Sequence, residues 1–253
     1  MFTLANEEIL QYYEQLQTAF TSEDYIPVVL RFYLKQNIAK IILAYNTITA
    51  AIKESCEHFN GFMKDNVYHF LTQDDQKLAE QECQILLSLK QEIDISTVLL
   101  TDILDIPLTI NQMKAIMFMI EEDINIYKGD KGMKLTNLEI YNIFTQLNEN
   151  FTGDEKLPIK LNFIFQKNSK TLIELIKEIE VARMEIGKKY GELKEGGYEI
   201  PSENVEAANS EYTDLMSVEQ EVNITTIPID KLPDDLMLTT GQMNALSFMI
   251  TEE

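Results

Sequence analysis

Residues 135–168, LTNLEIYNIFTQLNENFTGDEKLPIKLNFIFQKN, lie without a gap over residues 4–37, LANEEILQYYEQLQTAFTSEDYIPVVLRFYLKQN. At this offset of 131, Leu4, Asn6, Glu8, Ile9, Gln15, Leu16, Phe20, Thr21, Pro27, Leu30, Phe32 and Asn37 meet identical residues. A second run matches at an offset of 130: Leu108, Thr109, Gln112, Met113, Ala115, Phe118, Met119, Ile120 and Glu122 face Leu238, Thr239, Gln242, Met243, Ala245, Phe248, Met249, Ile250 and Glu252. Both ends of each half match in the same order, so a tandem duplication is the economical reading. It predicts a first copy over residues 1–123, a linker over 124–132 and a second copy over 133–253. Fusion of two copies commonly replaces a homodimer, which predicts a pseudodimer with pseudo-two-fold symmetry.

Within each copy the apolar spacing predicts a mostly α fold with minor β. Ile9, Tyr13, Leu16 and Phe20 recur at helical spacing, as do Ile140, Phe144, Leu147 and Phe151. Thr136 and Glu139 form a capping-box pair, whereas Ala5 replaces the threonine in the first copy and leaves Thr3 or Asn6 as the expected cap. After Pro27 or Pro158, suited to a first helical turn, a long helix is expected to about Phe59 or Tyr190. At about 30 residues it would reach roughly 45 Å. Its buried stripe is read as Ile38, Ile41, Ile42, Tyr45, Ile48 and Ile52, and as Leu172, Leu175, Ile176, Ile179, Met184 and Ile186. Ile159, Leu161, Phe163 and Phe165 also fit period two, so 28–34 and 159–165 are open to a strand reading, with helix preferred. Shorter polar helices are expected at about 76–90 and 203–219, followed by β-like alternation at Ile93, Ile95, Thr97 and Val222, Ile224, Thr226. Pro228 suits a sheet edge.

Each copy ends on its best-matched element. Thr109 with Gln112, and Thr239 with Gln242, are capping boxes at the head of a short apolar helix. Met113, Ile116, Met117, Phe118, Met119 and Ile120 cover nearly its whole circumference, which favours core packing over an exposed groove. Methionine also suits adaptable interfaces. The candidate partner-binding residues are therefore Met113, Met117, Met119, Met243 and Met249, with the acidic Glu121, Glu122 and Glu252 at the expected helix ends, where carboxylates point into water or meet a cation.

Net charge is −21, and the excess is shared: residues 1–129 hold 19 acids against 9 bases, and residues 130–253 hold 23 against 12. Such a balance argues against direct nucleic-acid binding, which depends on Lys and Arg displacing counterions. It permits a basic protein partner. No apolar run approaches the length of a membrane span and the start lacks the pattern of a signal peptide, so a cytoplasmic protein is expected.

Signatures of catalysis are missing: there is no glycine-rich phosphate loop, no Gly-x-Ser-x-Gly, no His-Glu-x-x-His and no EF-hand loop. Cys56, His58, His69 and Cys83 could be drawn as a zinc site, but their spacing fits no usual pattern and the second copy lacks all four. His69, between Tyr68 and Phe70, reads as a packed or surface histidine. Tyr12, Tyr13, Tyr25, Phe32, Tyr33 and Tyr45 sit on the apolar periodicity and read as core. Arg183, Lys188, Lys189 and Lys194 read as complements to a helix C-terminus. No cofactor, metal site or catalytic residue is assigned.

The stretch Met133-Lys-Leu-Thr-Asn-Leu-Glu-Ile140, with Leu157-Pro-Ile-Lys160 and Lys167-Asn168, resembles the opening of small single-unit proteins of unknown function from phages of Gram-positive bacteria. The resemblance implies a phage accessory protein acting in the host cytoplasm, or in the virion, and brings no catalytic residues. The function expected is thus binding of a host or phage protein, with inhibition of a host defence factor as one form. A virion component or assembly chaperone, open to homo-oligomers, is the alternative. An enzyme with a carboxylate-held metal ranks last.

Overall fold

Ala5 and Thr136 each stand where an extended strand turns into a helix. The computed structural model describes residues 1–253 apart from 22, 23, 25, 66, 105, 107, 123–129, 195, 196 and 253. The fold is mostly α with minor β. The chain divides into unit 1, Met1–Ile106 with Lys114–Asp123, and unit 2, Pro107–Met113 with Ile124–Glu253. Most of the expected linker, with Asp105, Asp123 and Glu253, lies outside the described residues, and 130–132 belong to a strand.

In unit 1, β1 (Phe2–Ala5) runs directly into α1 (Asn6–Ala19), and the long α2 (Val28–His58) follows. A hairpin of β2 (Phe62–Lys64) and β3 (Val67–His69) leads to α3 (Gln73–Ser88), capped by the Thr72 hydroxyl on the Asp75 N–H. Then β4 (Lys90–Ile93) returns antiparallel to β1, pairing Phe2 with Ile93 and Ala5 with Lys90. Neither Thr3 nor Asn6 caps α1. Thr3 is held in the ladder opposite Glu92, and the Ala5 N–H donates to Glu8 Oε2 at 2.8 Å, half of a capping box without the hydroxyl half. The alternation expected through Ile95 and Thr97 stops at Ile93. Strand β5 (Val98–Leu99) instead pairs parallel with a strand near the unit's end.

The apolar terminal helix is shorter than its composition suggests. Strand β6 (Leu108–Thr109) enters α4 (Ile110–Ile116), which tightens into a 3₁₀ turn over Met117–Met119. Strand β7 (Ile120–Glu121) then pairs with β5. Glu121 therefore sits in a strand and not at a helix end. Seven residues of helix suffice to bury Met113, Ala115 and Ile116, so the circumference is closed by three kinds of backbone.

Unit 2 carries β8 (Asp130–Thr136), α5 (Asn137–Asn150), β9 (Lys156–Leu157) and α6 (Ile159–Tyr190). They are followed by the hairpin β10 (Glu192–Lys194) and β11 (Gly197–Glu199), then α7 (Val205–Ser217) and β12 (Glu219–Thr225). The unit closes with β13 (Ile227–Pro228), a 3₁₀ turn at Ile229–Lys231, α8 (Thr240–Leu246) and β14 (Ile250–Thr251). Strands β8 and β12 pair antiparallel over seven positions, and β13 pairs parallel with β14, which places Pro228 in a two-stranded ladder. The capping box is complete at Thr136: its hydroxyl accepts the Glu139 N–H and its N–H donates to Glu139 Oε2. The boxes at Thr109 and Thr239 form as well. Residues 28–34 and 159–165 are helical.

Buried polar side chains fix the same joints in each unit. Asn6 Nδ2 donates to Leu86 O and its Oδ1 accepts from Gln91. In unit 2, Asn137 Nδ2 donates to Leu215 O and accepts from Gln220. Deeper, Asn37 donates to Ser96 O and accepts the Ser96 N–H, with Met119 Sδ at 3.5 Å. Asn168 does the same with Thr225 O, the Thr225 N–H and Met249 Sδ at 3.4 Å. Asn6 and Asn137 satisfy the last carbonyls of α3 and α7, Asn37 the backbone of Ser96 between β4 and β5, and Asn168 the end of β12, since a buried polar group left unpaired is costly.

The apolar core of unit 2 joins Ile140, Leu147, Leu161, Ile164, Leu172, Val222, Ile224, Leu246 and Met249. Of the expected stripes, Ile41, Ile48, Leu172, Ile179 and Ile186 are buried, whereas Met184 is exposed.

Candidate interaction surface

The predicted partner-binding methionines are mostly interior. Met113, Met119 and Met249 are fully buried, so a rigid partner cannot reach them; the same apolar side chains that suit an interface are enclosed by their own unit. Met117 is half-buried and Met243 lies at the edge of exposure. Glu121, Glu122 and Glu252 are exposed, and Glu121 accepts the Thr97 hydroxyl at 3.0 Å. Glu121 ends β7 and Glu122 and Glu252 directly follow β7 and β14, while three of the five methionines are enclosed.

The basic residues near the end of α6 meet carboxylates: Arg183 pairs with Glu180, Lys188 with Glu185, Lys189 with Glu211 and Lys194 with Glu192 and Glu199. Such exposed pairs add little stability. Among the described residues no group of three or more His, Cys, Asp or Glu is placed to hold a metal. Cys56 is buried with Cys83 beside it, and burial first, then the neighbouring thiol, push Cys56 up to about 11. A thiol so protonated is a poor nucleophile. Iodoacetamide at mildly alkaline pH is therefore expected to label Cys83 and spare Cys56 in the folded chain. Equal labelling, read by peptide mass spectrometry, would contradict this placement.

The first turns of α6 and α2 reveal a different surface. Residues 108–113, part of unit 2, lie along the start of α6. Leu108 pairs with Leu157 and Thr109 with Lys156 in an antiparallel ladder. The ladder is extended by the Ile110 N–H on Glu155 O and the Asn111 N–H on Gly153 O. From the helix, Asn162 Nδ2 donates to the carbonyls of Leu108 and Thr109, and Gln166 Nε2 to that of Ile110. Gly153 has φ +100°, and the Asn111 side chain occupies the space a Cβ would need. On the same first turns of α6, Ile159 is 2% exposed and Phe163 5%. Burial of such side chains is worth roughly 1.5–3 kcal/mol each.

The corresponding turn of α2 is bare. Val28 is 82% exposed, Val29 52% and Phe32 58%, while Leu30 and Leu34 on the opposite side are buried. Phe32 is thus no core residue, unlike its identical partner Phe163. Where α6 has Asn162 and Gln166, α2 has Arg31 and Lys35, both exposed, with Arg31 Nη2 donating to Asp24 O. Tyr12 and Tyr13 pack as expected, against Phe118 at 4.6 Å and Tyr45 at 3.9 Å between ring centres. The apolar face Val28, Val29, Phe32 escaped periodicity because apolar side chains at helical spacing read alike whether or not another segment covers them.

The loop receiving residues 110 and 111 carries its own titratable group. Burial opposes charge on Glu155, yet the N–H groups of Thr152 and Gly153 and the Thr152 hydroxyl donate to it and hold its carboxyl below the usual glutamate range. A depressed value means the stabilisation is complete above the ordinary glutamate range and is lost as pH falls through the lowered one. Amide exchange at Ile110 and Asn111, corrected for intrinsic rates, is expected to accelerate in that acid window. A flat profile, or the same acceleration in Glu155→Gln, would refute the link.

Comparison with protein-family models, curated proteins and solved structures finds no match for this chain.

Proposed function

We propose that the chain is a duplicated, acidic protein-binding module without chemistry of its own. The duplication reading is supported by the matching element order and by the two asparagine networks, Asn6 with Asn137 and Asn37 with Asn168, at corresponding positions. The observation that carries the binding reading is the bare face of Val28, Val29 and Phe32 on a stable helix. Contiguous exposed apolar side chains on a highly charged protein mark an interaction site. The phage resemblance supplies a host or phage protein as partner, with inhibition of a defence factor as one consequence.

The test is capture from lysate of the source cells by the tagged chain, compared with the tagged Phe32→Glu variant. A stoichiometric partner retained by the first and lost by the second supports the reading. Equal recovery by both removes this face from the function.

A further inference from the structure

We infer that Cys56 and Cys83 form a redox-active dithiol, oxidised by low-molecular-weight disulfides to an intrachain bridge that locks α3 onto the end of α2. The inference is independent of the binding reading above and concerns unit 1 alone.

Helical spacing brings the two thiols to one seam. Cys56 lies in the last turn of α2 and is 6% exposed. On α3, Asp75, Ala79, Cys83 and Leu86 are the less exposed positions at helical spacing. Cys83 thus falls on the inner side of α3, one turn after the enclosed Ala79, and its thiol is hydrogen-bonded with that of Cys56. Tyr68 of β3 lies near both sulfurs. A disulfide needs side chains that face one another at short range. A hydrogen bond between the two thiols meets that condition in advance.

The surroundings are specific to this copy. The Gly61 N–H donates to Cys56 O at 2.8 Å, and a Cβ on Gly61 would lie 2.6 Å from that oxygen. The chain leaving α2 therefore passes directly over the Cys56 backbone, where only glycine fits. A bridge would enclose residues 57–82, and with them the hairpin of β2 and β3, whose Phe62, Met63 and Val67 are exposed. At offsets of 131 and 129, unit 2 has Gly187 and Tyr212 in place of the cysteines, and the Tyr198 ring fills the space beside Gly187. The chain has two cysteines in all, so the pair has no competitor within it.

Cys83, partly exposed, is the point of entry. Its thiolate attacks one sulfur of the small disulfide, whose S–S bond breaks and whose other half leaves as a thiol carrying the Cys83 proton. Cys56 then attacks the Cys83 sulfur of this mixed disulfide, and the second half leaves as a thiol with the Cys56 proton. The protein loses two electrons and two protons, and the small disulfide gains both. Burial keeps Cys56 protonated, so closure is the slow step, offset by sulfurs already held together.

The experiment treats the reduced full chain with hydroxyethyl disulfide, uncharged so that the net charge of −21 does not repel it, and reads the products by mass spectrometry without reductant. The expected product is a single chain two hydrogens lighter, with the Cys56 and Cys83 peptides linked. Dithiothreitol should reverse it, and its melting temperature should rise by at least about 5 °C. Cys56→Ser should stop at the mixed disulfide on Cys83, and Cys83→Ser should stay unmodified over the same time. Circular dichroism establishes that both variants fold, with Cys56→Ala as the replacement if the serine does not. A mixed disulfide that accumulates on Cys83 of the wild type, a link between two chains, a bridge that forms only in urea, or one that leaves the melting temperature unchanged would overturn the proposal.

Discussion

Asn168→Leu is expected to lower the unfolding free energy by roughly 2–6 kcal/mol, and Asn37→Leu by a similar amount. The substitution keeps approximate volume but removes both hydrogen-bonding atoms from a site where they serve one residue's N–H and C=O. Each buried backbone group deprived of its partner costs about 1–3 kcal/mol, and two are deprived. The joint in question ties a long helix to the end of β12, or to the turn before β5, and the Met249 or Met119 sulfur seals it from water. Urea titration followed by far-ultraviolet circular dichroism measures the loss. A change below about 1 kcal/mol in both variants would mean that the backbone groups of Ser96 and Thr225 are satisfied by water and that the asparagines are not structural.

Phe118→Ala should cost about 3–5 kcal/mol, the range for truncating a buried ring. Its ring is nearly enclosed and tilts against Tyr12. Phe248→Ala should cost less, because its ring is only partly buried although the residue is identical at the matching position. Thermal unfolding of the two variants side by side checks the order. Equal losses would mean that the two rings have equivalent surroundings in solution.

Those two rings show where legibility in the sequence ends. The long helices, their proline starts and the capping boxes at Thr109, Thr136 and Thr239 were readable because each depends on residues close in the chain. Strands β1 and β8 were not, since Phe2-Thr3-Leu4-Ala5 is too short for alternation to register and its partner lies far away at β4. The terminal apolar run was read as one helix because composition records burial but not the change from helix to 3₁₀ turn to strand. Asn37 and Asn168 were visible as an identity and invisible as a joint, because apolar periodicity passes over polar groups buried by mutual satisfaction. At the candidate surface the gap is wider. Phe32 and Phe163 are identical residues at matching positions of two long helices, yet one is exposed and the other buried, a difference that apolar spacing does not record.

The path of residues 108–113 also bears on how such a chain can change over generations. Deleting the first half would leave Asn162 and Gln166 without the carbonyls they serve. Deleting the second would leave residues 108–113 with no ladder to complete. Neither half can be shed without a loss of hydrogen bonds in what remains, so selection on folding alone would keep both in one chain.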